Sequence, residues 1–236
     1  MRVGWIRGHR AGRKGWGAAG LIAGGVVTLA LSGSGCQVAG LIAVAGDTME
    51  RTGSHDVYAE YQGLRDKNFA VLIVVDRATA SEHPRMVNRL TNSITDMLME
   101  QKDLIGFAGR VPGPYVLAFQ YGNPSWVSWP YQRIAEEFTV ERLIVVDIFD
   151  YRLQEPGNSY VWKGKIGARV GVIEADGPAS DEFIYTKDIV VGFPDKDGYT
   201  PNDYSQGQVQ ATLEKRFADR VTWLFYDHEE KNMMDY

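Results

Sequence analysis

The chain has one cysteine, Cys36, in 236 residues, so no disulfide can close within a single copy and burial and hydrogen bonding must hold the fold together. Acidic residues are missing from the first 46 positions. No Gly-x-x-x-x-Gly-Lys-Ser/Thr loop occurs, no Gly-x-Gly-x-x-Gly follows a strand-like run, and there is no Gly-x-Ser-x-Gly elbow. These absences remove the standard phosphate cradles and the serine-hydrolase turn. Histidine is scarce after the leader, with only His55, His83 and His228. No two of them share a helical turn, and His228-Glu229-Glu230, the one cluster of potential ligands, spreads its side chains around a helix, as a solvated polar end would. Neither an internal repeat nor a low-complexity tract is present beyond the leader and its tether.

What is present begins at the N-terminus. Arg2, Arg7, Arg10, Arg13 and Lys14 form a basic region, residues 15–46 carry no charge, and Leu31-Ser-Gly-Ser-Gly-Cys36 places small residues ahead of the thiol. An apolar segment partitions into a membrane, cations hold its leading end on the cytoplasmic side, and small residues admit a peptidase. The layout resembles a bacterial lipoprotein signal, with Gly33 where such signals usually carry Leu. The resemblance implies cleavage before Cys36 and acylation of that residue, palmitate being the typical chain. Two other readings stay open: an uncleaved span, against which the many glycines weigh, and a plain signal peptide. Removing residues 1–35 takes five basic and no acidic residues from totals of 25 and 30, leaving 201 residues at a net charge of −10. Such a surface disfavours nucleic acid and anionic headgroups as partners.

Four segments are expected: a signal peptide over 1–35, a lipidated tether over 36–66, a mixed α/β domain over 67–227 and a C-terminal tail over 228–236. The aliphatic run Phe69–Val75 reads as a central strand covered on both faces, ending at Asp76. After a loop, Pro84 suits a first helical turn, and Val87, Leu90, Ile94, Met97 and Leu98 mark one helix face. Prolines 112, 114, 124 and 130 predict short helices and turns, with a helical piece from Tyr131 to about Phe138. The run Arg142–Asp150 reads as a second strand, parallel to and beside the first through a right-handed crossover. Glu155–Asn158 is a turn signal; residues 160–173 and 183–191 then predict an antiparallel hairpin, and Val209, Leu213, Phe217, Val221 and Leu224 a long closing helix. The expectation is a single α/β (α+β) domain with a mixed sheet, in the order β-α-(short α)-β-β-β-α, its helices packed on the sheet.

Two sets of candidate site residues emerge. Asp76, Asp147 and Asp150 fall at or near the carboxyl ends of neighbouring strands, where open α/β sheets bind ligands and where paired acids can do general acid/base work. They are equally the ordinary caps and turn formers of strand ends, and Asp147, inside its run, can mark a bulge or an edge. Trp126, Trp129 and Tyr131, in a proline-bounded segment, offer large apolar rings with polar tips, suited either to recognising a partner or to plugging the end of the core.

Gly35-Cys36 with Gly40-Leu41-Ile42, Ala59–Asp66, Glu155–Asn158 with Trp162, Val172–Asp176 and Leu224–Glu229 together resemble a group of bacterial envelope lipoproteins with no assigned activity. The element order is similar to the domain of the TolB N-terminal region, CsgG and LpoB. That likeness implies an envelope binding or assembly module and no particular catalysis, and no cofactor is expected. The expectation is therefore an exported protein, lipid-anchored to a membrane facing the periplasm, that binds another envelope protein. The alternative is a hydrolytic or ligand-processing enzyme that uses the strand-end acids.

Overall fold

The computed structural model describes residues 53–231. The leader, Cys36 and the spacer to position 52 lie outside the described residues, as do positions 232–236. In chain order the elements are β1 (Ser54–Val57), β2 (Asn68–Val75), α1 (Arg77–Glu82), α2 (Met86–Glu100), α3 (Lys102–Ile105), β3 (Gly109–Arg110), α4 (Gly113–Gly122), α5 (Tyr131–Phe138), β4 (Arg142–Arg152), β5 (Gly164–Glu174), β6 (Phe183–Phe193), α6 (Gln206–Thr222) and β7 (His228–Lys231). Short 3₁₀ turns occupy Trp126–Ser128 and Trp223–Phe225. Among the described residues no helix is long and apolar enough to cross a membrane.

The architecture is mixed α/β, built on a five-stranded sheet in the order β3-β2-β4-β5-β6. β2 runs parallel to β3 and β4, and β4, β5 and β6 are antiparallel neighbours. The expected parallel pairing of β2 with β4 and the β5–β6 hairpin are both present. β2 is buried on both faces because side chains alternate across a strand. Phe69, Val71 and Ile73 enter one core, while Ala70 and Leu72 enter another.

The first core lies under α2 and α6, which bring Leu90, Ile94, Leu213 and Phe217 onto the full width of β2, β4 and β5. Ser205 and Gln208 form a capping box that starts α6. The second core is smaller: α4, the Trp126 turn and α5 place Val116, Phe119, Trp126 and Ile134 against Ala70, Leu72, Leu143 and Val145. On β5 this core takes in Ile173, and among the described residues the rest of the β5–β6 half of the second face carries no helix.

Four local expectations are corrected. The stretch after Asp76 is the helix α1, and α2 starts at Met86, with Pro84 between the two. α1 buries none of its residues, so it leaves no apolar periodicity to find. The third strand begins at Gly164 rather than residue 160, because Trp162 turns away to donate its indole N–H to Tyr204 O at 2.7 Å. The bulge in β4 falls at Phe149, between Ile148 and Asp150, and not at Asp147. Finally, the ends of the expected tether and tail belong to the folded body: β1 pairs antiparallel with β7, and Tyr61 and Leu64 are core residues. Ser-His-Asp-Val and His-Glu-Glu-Lys have no apolar alternation, so neither strand is visible until its partner is placed.

Candidate functional site

The β5–β6 half of the second face is bordered by the first turn of α5. Pro130 has the extended geometry of an N-cap, and Tyr131, the first helical residue, is set over the sheet. Its ring lies 5.3 Å from that of Phe183, at an interplanar angle of 58°. Phe183 in turn lies close against the backbone of β5 at Gly171, where an added Cβ would come within 2.4 Å of its Cδ1. The two rings wall a cleft of about 410 Å³.

The cleft floor is one cross-strand row. Pairing register sets Val74, Asp147, Arg169 and Asp188 side by side on four strands. Arg169 forks onto Asp188, with Nε to Oδ1 at 2.8 Å and NH2 to Oδ2 at 3.1 Å, the strong two-pronged geometry of a guanidinium on a carboxylate. Both side chains are more than half exposed. The hydrogen bond with Asp188 holds the Arg169 guanidinium above its ordinary pKa, with a smaller contribution from Asp147. Asp188 is held below the usual carboxylate range by the same bond. Asp147, on the other side of Arg169, makes no hydrogen bond and no ion pair within 4.0 Å among the described residues. Burial first, and then the Asp147 charge, raise the Tyr131 phenol above its usual range.

Beyond this row the surface turns apolar. The bulge turns Phe149 onto Gly167, where a Cβ would come within 2.5 Å of Cε2, and the ring remains 58% exposed. Val190, paired with Gly167 from the other side, is 50% exposed.

The sequence candidates are thus sorted. Tyr131 and Asp147, drawn from different sets, meet in the cleft. Asp76 caps α1, accepting from the N–H groups of Ala78 and Thr79 and from the Thr79 hydroxyl. Asp150 faces Lys165 Nζ at 3.2 Å and Arg152 Nε at 3.9 Å. Trp126 is buried in the second core, 6.5 Å from the ring of Phe119. Trp129 packs edge-on to Phe119 at 5.5 Å and carries the Arg133 guanidinium 3.7 Å from its ring centre.

Arg169, Phe183, Asp188 and Phe149 were not singled out in the sequence. One signal was available: Arg169 lies between Gly167 and Gly171 on one face of β5, a charge with bare backbone on either side. His228 stacks on Trp223 at 4.6 Å and His83 lies 4.5 Å from the Tyr151 ring. Among the described residues no three His, Cys, Asp or Glu side chains gather into a metal-binding group.

No protein-family model and no curated protein sequence matches the chain. Solved structures with a similar arrangement include lipoprotein GNA1162 of Neisseria meningitidis, at 9% identity and a TM-score of 0.42, covering 65% of this chain and 96% of that one. The PelC dodecamer of Paraburkholderia phytofirmans matches at 10% identity and a TM-score of 0.40, covering 74% and 97% of the two chains. Protein CT253 of Chlamydia trachomatis matches at 11% identity and a TM-score of 0.40, covering 66% and 95%.

Proposed function

We propose that this chain is a lipid-anchored envelope protein whose folded body binds another envelope component and catalyses no reaction, in the manner of a TolB N-terminal, CsgG or LpoB type of module. The observation that carries the reading is the half-face of the sheet that has no helix over it among the described residues. α4 and α5 cover β2 and β4, yet the surface over β5 and β6 exposes Phe149 and Val190 beside a 410 Å³ cleft. Large apolar side chains exposed beside a cleft are the kind of surface a partner covers. The anchoring part rests on the basic, uncharged and small-residue segments that lead to Cys36. Acid/base work by the strand-end acids finds little support: Asp76 is a cap, Asp150 is ion-paired, and of the cleft's two carboxylates Asp188 is held by Arg169.

A photoreactive phenylalanine analogue placed at Phe149, at Val190 or at Leu104 of α3 tests the binding surface in intact cells. Leu104 is 60% exposed and lies outside the cleft. The first two positions are expected to crosslink one common partner and the third to crosslink nothing. Equal crosslinking from all three positions, or none, overturns the reading.

A further inference from the structure

We infer that the cleft receives a lysine or arginine side chain projecting from an apolar patch of the partner protein. The inference rests on the binding role proposed above and names the chemistry of what binds. Charge in the cleft does not balance: the row Asp147–Arg169–Asp188 sums to one negative charge, and the guanidinium at its centre has both prongs on Asp188. Asp147 is left without a hydrogen-bonded or ion-paired partner among the described residues, with Val74 beside it on β2 and Val145 also lining the cleft. One further cation continues the alternation of sign across the sheet.

The walls favour the same occupant. The Tyr131 and Phe183 rings stand 5.3 Å apart at the rim, and aromatic faces attract cations through their quadrupole. Alongside, Phe149 and Val190 offer apolar contact to the surface from which such a side chain would project, or to the methylene stem behind its charge. The mature chain, at −10, draws basic surfaces by long-range attraction and repels acidic ones. An anionic lipid or a nucleic acid phosphate has no match in this cleft.

The test uses the full acylated chain in phosphatidylcholine nanodiscs and two fluorescent peptides, acetyl-Leu-Leu-Arg-Leu-Leu-amide and its citrulline counterpart, which keeps the shape and loses the charge. The arginine peptide is expected to bind about tenfold more tightly, the contrast of a hydrogen bond to a charged group. Asp147→Asn is expected to erase the difference, and Asp147→Glu to retain it. Asp147 is exposed and holds no hydrogen bond among the described residues, so an unchanged melting temperature is expected for Asp147→Asn. Equal binding of the two peptides, or an Asp147→Asn variant that still prefers arginine, overturns the cation inference and leaves the binding-surface reading standing. If neither peptide binds and Phe149 crosslinks nothing in cells, both readings fall.

Discussion

Gly171 has no side chain, and that alone lets the Phe183 ring settle against β5 and wall the cleft. Gly171→Ala puts a methyl where the ring now lies, and the ring, 41% exposed, can swing outward. The expected result is a folded protein of nearly unchanged stability that has lost the nuclear Overhauser contacts between the Tyr131 and Phe183 rings. Asp176 acts at the same scale. It ion-pairs with Lys67 Nζ at 2.5 Å and with Arg142, which is 6% exposed and also donates to Gly63 O at 2.9 Å. The bond to Lys67, aided by Arg142, holds the Asp176 carboxyl below the usual carboxylate range. A group with a lowered folded pKa adds stability above its unfolded pKa, about 3.9, and loses it as pH falls through the folded value. Asp176→Asn should therefore lower the melting temperature at pH 7, with the gap to wild type closing below about pH 4.

At the scale of elements, α6 joins the first core through one buried acid as well as through its apolar stripe. Glu214, 7% exposed, accepts from Arg89 Nε and NH2 of α2, both at 2.7 Å, and from the Tyr151 hydroxyl of β4 at 2.6 Å. Burial and that hydrogen bond push the Tyr151 phenol up. Glu214→Ala takes the acceptor from the buried Tyr151 hydroxyl, which is left with the Gln210 amide donor, while Arg89, 41% exposed, can turn to water. The expected cost is about 1–3 kcal/mol, read by denaturant unfolding. The stripe Val209, Leu213, Phe217 and Val221 was legible in the sequence because helical periodicity is local. Glu214 was not, since an acid on a helix reads as solvent-facing until the strand and the helix that bury it are placed. β1 and β7 were hidden for a related reason, each making sense only through a partner about 170 residues away.

At the scale of the whole molecule, the two faces of the sheet are unequally covered by the described residues. The face under α2 and α6 carries the larger core; the other supplies a second core at one side and an open surface at the other. A lipid at Cys36 would hold that surface near membrane-bound partners and raise its effective concentration there. Cys36→Ser is expected to move the protein from the membrane fraction to the soluble fraction and to reduce crosslinking from Phe149, with the melting temperature of the folded body unchanged. Membrane retention of the variant would show that something other than the thiol anchors it.

The sequence by itself determined the central strands β2 and β4, their parallel pairing, the β5–β6 hairpin and the apolar stripes of α2 and α6, because each is written in local spacing or composition. Only the tertiary structure decided that Arg169 stands between Asp147 and Asp188, that Tyr131 reaches a cleft while Trp126 is buried, and that half of one face has no helix over it among the described residues. Those outcomes depend on strand register and on where helices end, and both follow from packing between residues far apart in the chain.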